Sequence, residues 1–107
     1  MRYCALVLGF FAATCLGAGP ERVLIPSADG KLQLPGYWFE AKGAAPRPAV
    51  ISLHGCGGAY DSKGQLGPVY ARDAGVFNAG GVHLLALDSF TPRGLKSICE
   101  IAPRQRG

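Results

Sequence analysis

Two stretches of the chain are almost continuously apolar: Ala49-Val-Ile-Ser-Leu53 and Val82-His-Leu-Leu-Ala-Leu87. Short runs without alternation are what strands buried on both faces require, so both predict parallel strands inside an α/β sheet. About 28 residues separate them, close to the span of a strand–helix–strand crossover. Within that span Tyr70, Ala74 and Phe77 recur at i, i+4 and i+7 and predict one buried helical face. Gly80-Gly81 supplies the helix stop, while Gly75 weakens the helix from inside. Upstream, Arg22-Val-Leu-Ile25 and Tyr37-Trp-Phe-Glu40 predict short strands, with turns at Asp29-Gly30 and Pro35-Gly36 and a loop over Gly43 to Pro48. The fold class expected is α/β: short antiparallel strands, then a βαβ unit, in one piece from 19 to 107 with no linker or repeat. One helix can cover only one side of such a sheet. A bare sheet face and strand edge are therefore expected, with marginal solubility for residues 19–107 expressed alone.

The first residues carry a different pattern. Met1-Arg2 is a short positive start, Ala5 to Ala13 is apolar, and small residues follow at Gly17, Ala18 and Gly19. About a dozen apolar residues fall short of the ~20 a membrane-spanning helix needs and fit a secretory signal over 1–18. Secretion or periplasmic export is the expected localisation, with a buried N-terminal element as the alternative. A lipoprotein reading of Cys15 is weakened by Ala12, where such signals prefer Leu. Export would leave Cys56 and Cys99 of the four cysteines in an oxidising compartment. Each follows a predicted strand at the same end of the sheet, so a disulfide between them is possible. The alternatives are a free buried Cys56 and a Cys99 paired outside the chain.

Composition adds less. With 49% hydrophobic residues, 16 Gly and 8 Pro the chain can build a core and turns often. Its net charge of +4 includes Arg93, Lys96, Arg104 and Arg106 near the C-terminus. No basic stripe interleaved with stacking aromatics accompanies it, which argues against a nucleic-acid partner.

The candidate chemistry sits where the first apolar run stops. His54-Gly55-Cys56-Gly57-Gly58 can turn sharply and present bare backbone N–H groups at the end of a parallel strand. Such groups stabilise an oxygen that becomes negatively charged during acyl transfer, with Cys56 and then Gly57 as the donors. The alternative is a glycine-rich turn with a packed, hydrogen-bonded His54. The loop Asp88-Ser-Phe-Thr-Pro-Arg-Gly94 follows the second run and should face the same crevice. Arg93 there could hold a substrate carboxylate, and Asp88 either contacts substrate or anchors the turn.

Other chemistries fail on spacing. Tyr60 stands where a dinucleotide fingerprint needs its third glycine, and Lys63-Gly64 is in the wrong order for a phosphate-binding loop. His54, Cys56, His83 and Cys99 lack the short ligand spacing of a zinc site, and His83 reads as a structural histidine in a strand. No metal and no cofactor are expected. Ser52, Ser62, Ser89 and Ser97 all lack a Gly-x-Ser-x-Gly setting, so no serine qualifies as nucleophile by motif.

Val50-Ile-Ser-Leu-His-Gly-Cys-Gly-Gly58, a helix, and Leu84-Leu-Ala-Leu-Asp-Ser-Phe-Thr-Pro-Arg-Gly94 together resemble the dienelactone hydrolase family of α/β-hydrolases. The similarity covers most of residues 21 to 100. It implies an eight-stranded, mostly parallel sheet and cleavage of ester or lactone bonds by a Cys or Ser nucleophile supported by an acid and a His. It maps Cys56 onto an oxyanion donor rather than the nucleophile. Arg93 matches only approximately an arginine the family uses near carboxylate-bearing substrates, because the loop here is one residue longer. In that family the nucleophile, acid and histidine come later than residue 107. The chain is therefore expected to be an inactive N-terminal part of such a hydrolase, or else a non-catalytic exported binding or interaction module built on the same fold. The partner expected is a small ester or lactone, an anionic one included.

Overall fold

The computed structural model describes residues 19–44 and 46–101. The expected signal segment, with Cys4 and Cys15, lies outside the described residues, as do Arg104 and Arg106. Four strands and one helix follow in chain order: β1 (Glu21–Pro26), β2 (Gln33–Phe39), β3 (Ala49–Leu53), α1 (Pro68–Ala79) and β4 (His83–Leu87). A single 3-10 turn over Thr91–Arg93 comes next. The strands form one mixed sheet in the order β1-β2-β4-β3, an α/β arrangement.

Strands β1 and β2 are antiparallel, β2 and β4 are antiparallel, and β3 and β4 are parallel. The parallel pair runs from Ala49↔His83 to Leu53↔Leu87. Residues 54 and 88 therefore leave the sheet side by side. Helix α1 is the crossover between β3 and β4, begins with Pro68 in its first turn, and stops at Gly80. Proline at that position costs nothing because the first helical N–H groups have no partner within the helix.

Pro35-Gly36 does not form the expected turn; both residues lie inside β2. The turn lies earlier, where the Ser27 N–H donates to the Leu32 carbonyl at 2.9 Å. Pro35 is tolerated because it stands just before Gly36↔Leu87, the last β2–β4 pair. Its carbonyl accepts the Asp88 N–H at 2.8 Å, so its missing donor points to a position where the β2–β4 ladder has ended. Gly36 has a packing role. A Cβ there would lie 3.0 Å from Leu85 Cδ1 and 3.1 Å from Val23 Cγ2, so the bare backbone lets these side chains close over it.

The core lies between α1 and one face of the sheet. Tyr70 and Ala74 of the helix, Leu84 and Ala86 of β4, and Ala59 are buried together, with Val50, Tyr37 and Phe39 against them. Two burial expectations are corrected here. Strand β3 is half-buried on one face, at Val50 and Ser52, and open on the other: Ile51 is 64% exposed and Leu53 71% exposed. It is an edge strand with a helix on one side and nothing described on the other. Phe77 falls on the helical stripe yet is 40% exposed. His83 is structural: its Nδ1 accepts the Ala41 N–H at 2.8 Å, and its ring packs 4.9 Å from that of Trp38.

Candidate functional site

At the C-terminal ends of β3 and β4 two loops meet over a groove of about 610 Å³. This is where open α/β sheets bind ligands, because the loops after adjacent parallel strands diverge and leave a crevice. One wall is Gly57 to Asp61; the opposite wall includes Phe90, Thr91 and Gly94 to Ser97, and Asp88 also contributes.

The first wall is a tight turn. The Gly55 carbonyl accepts the Gly58 N–H at 3.1 Å. The N–H groups of Cys56 and Gly57 have no hydrogen-bond acceptor among the described residues. Gly57 lines the groove, whereas Cys56 does not. Gly58 adopts φ +82, and a Cβ there would sit 2.6 Å from the Lys96 carbonyl oxygen. Only glycine meets both demands, a left-handed backbone and a close backbone approach.

Cys56 and Cys99 are joined, with sulfurs 2.12 Å apart and Cα atoms 4.9 Å apart. The Cys56 carbonyl also accepts the Ile98 N–H at 2.8 Å and the Ser97 hydroxyl at 3.2 Å. The disulfide therefore ties one wall of the groove to the other. It also removes both thiolates from any metal set, and no three His, Cys, Asp or Glu side chains gather as a metal site among the described residues.

His54 and Gly55 shape the turn from below. His54 donates from Nδ1 to the Gly55 carbonyl at 2.8 Å, which leaves Nε2 as an acceptor. Nε2 receives both the Ser89 N–H at 3.1 Å and the Ser89 hydroxyl at 2.9 Å. The His54 ring also meets Phe90 edge-on at 4.3 Å. A serine hydroxyl on a histidine has the distance of a nucleophile and its base. Here one lone pair is shared with the backbone donor of the same serine, and neither side chain lines the groove. The contact is a latch between the β3 and β4 loops.

Asp88 is fully buried at the end of β4. Its Oδ1 accepts the N–H groups of Phe90 at 2.9 Å and Thr91 at 3.1 Å, which builds the turn after the strand. Burial pushes its pKa up, but hydrogen bonds from the Thr91 side chain and backbone and the Phe90 N–H outweigh that and hold the carboxyl below its usual range. Its Oδ2 has no partner at hydrogen-bond geometry. The nearby Tyr60 hydroxyl also favours the anion, although it is engaged with the Tyr37 hydroxyl at 2.6 Å. Burial and the Tyr37 contact in turn raise the Tyr60 pKa.

Arg93 is exposed and its guanidinium donates to the Ser89 carbonyl. It does not line the groove; the cation that does is Lys96. Lys96 belongs to no motif, so the sequence does not single it out; the one signal for it is its place eight residues after Asp88, in the chain that follows β4. The Tyr37–Tyr60 pair was likewise missed, since its members are 23 residues apart. Asp61 also lines the groove, but its Oδ1 is committed to the Lys63 and Gln65 N–H groups.

No family model, no curated protein and no solved structure matches the chain. Among the described residues no helix is long and apolar enough to cross a membrane.

Proposed function

We propose that this chain carries the oxyanion-binding side of an ester- or lactone-cleaving site of the dienelactone hydrolase type. One observation carries the reading. Gly57 lines a groove at the C-terminal ends of two parallel strands, and its N–H, like that of Cys56 next to it outside the lining, has no acceptor among the described residues. Donors in such a place can stabilise a tetrahedral oxyanion. A carboxylate-bearing substrate would find its cation in Lys96; Arg93 would have to leave Ser89 to serve.

The described residues supply no attacking group for that oxyanion. The Ser97 hydroxyl donates to the Cys56 carbonyl, the Asp61 Oδ1 beside Ser62 is committed to the Lys63 and Gln65 N–H groups, and Cys56 is in a disulfide. The chain by itself is expected to turn over no p-nitrophenyl acetate beyond a heat-denatured control. Robust turnover that a serine- or cysteine-acylating reagent abolishes would overturn this. Titration with methylphosphonate, a tetrahedral anion like the intermediate, should shift the Cys56 and Gly57 amide resonances saturably. If those two amides are unmoved while others respond, the oxyanion reading fails.

The same lack of a nucleophile–base pair in the groove favours a second reading, an exported binding module that keeps the crevice without the chemistry. Saturable binding of a small ester with unmoved Cys56 and Gly57 amides would select it.

A further inference from the structure

Asp88 is fully buried and held anionic, yet no Lys, Arg or His lies at ion-pair distance from it among the described residues. Its Oδ1 is taken by two backbone N–H groups, while its Oδ2 is enclosed and lacks a partner at hydrogen-bond geometry. A buried anionic oxygen without a donor is costly, so a donor belongs there. The titratable groups that bear on it are Tyr60 from the groove wall and Tyr70 from α1, with Tyr37 of β2 behind Tyr60. The Thr91 hydroxyl also favours the anion. Proton counting selects among these. The Tyr37 and Tyr60 hydroxyls are 2.6 Å apart, so one proton lies between them and the other needs an acceptor. Tyr37 has no second hydroxyl partner among the described residues, whereas Tyr60 has the Asp88 carboxylate near it.

We propose that Tyr60 is a positioning residue of the groove, its hydroxyl donating to Asp88 Oδ2 while accepting from Tyr37. The chain of donors then runs from β2 through the groove wall to the end of β4. Each donation strengthens the next, because a hydroxyl that accepts a proton becomes a better donor. Protonation of Asp88 reverses the order. Oδ2 takes a proton from solvent and becomes the donor to Tyr60, Tyr60 turns its own proton to Tyr37, and the half-buried Tyr37 turns its proton to water. For the groove, the chain screens a negative charge. An anionic ligand at Gly57 and Lys96 shares the groove with Asp88, and donors on that carboxylate lessen the repulsion between them. This use rests on the oxyanion reading above; the chain of hydroxyls does not.

The test is carbon NMR of the full chain titrated with acid, following the Asp88 carboxyl carbon and the tyrosine Cζ carbons. In the unsubstituted protein the Tyr60 Cζ resonance should move with the same midpoint as the Asp88 carboxyl. Tyr60→Phe keeps the ring and removes the donor, so the Asp88 midpoint should rise by at least about half a pH unit, roughly threefold in proton affinity. Tyr37→Phe leaves the Tyr60 donor in place and should raise that midpoint by less than half as much. An Asp88 midpoint unmoved in Tyr60→Phe would overturn the chain and leave Oδ2 to Thr91. A Tyr60 Cζ resonance indifferent to the Asp88 titration would overturn it without any substitution. No ligand enters the measurement, so a failed methylphosphonate titration would sink the oxyanion reading and leave the chain standing.

Discussion

The two faces of the sheet have similar side chains and opposite fates. On the face under α1, Leu84 and Ala86 are each 1% exposed, and the same row of β4 ends in buried Asp88. On the other face the neighbouring strand presents Ile51 and Leu53 largely to solvent. Within β3 the switch occurs between adjacent residues, Val50 half-buried and Ile51 exposed. Strand chemistry therefore did not decide burial; the single helix did. The covered face is where packing can hold a carboxylate anion without water. The bare face is an aggregation liability, since contiguous apolar surface next to an unpaired strand edge invites another chain.

That contrast can be broken at several points. Leu84→Ala should cost about 3 kcal/mol of unfolding free energy by denaturant titration, because it opens a cavity between α1 and the sheet. If the loss is under about 1 kcal/mol, the covered face is no tighter than the bare one. The polar end of the covered face can be probed by acid. The Asp88 pKa is depressed in the fold, so the stability it contributes is fully present above the ordinary carboxylate range and is lost as pH falls through its lower folded value. Melting temperature should therefore decline on acidification below about pH 4, and Asp88→Asn should flatten that part of the curve. An unchanged curve in the variant would mean that another carboxyl carries the acid sensitivity. On the bare face, Leu53→Thr should change stability by less than about 0.5 kcal/mol. It should nevertheless raise the concentration at which light scattering first detects aggregates. A large stability loss there would mean that the face is covered in solution.

Much of this architecture could be read from the residues in order. The run Ala49–Leu53, the stripe through Tyr70 and Ala74, and the run ending at Leu87 place β3, α1 and β4, because period and length in a short crossover leave few alternatives. Pro35-Gly36 misled, since the same two residues that mark turns also suit a strand at the point where its ladder ends and a neighbour packs closely. The His54 to Gly58 segment was legible as a glycine turn at the end of a strand, yet its latch on Ser89 and the choice of Lys96 over Arg93 for the groove were not. Those depend on contacts between residues that local sequence does not relate.

By itself, then, the sequence determined which segments become strand, helix and glycine turn, because backbone sterics and hydrophobic period act over a few neighbours. Tertiary structure decided which face of β3 is covered, that Cys56 meets Cys99, and which cation lines the groove. These outcomes are set by pairing across 30 to 45 residues of chain, where the geometry of the assembled sheet, and no local preference, brings the partners within reach.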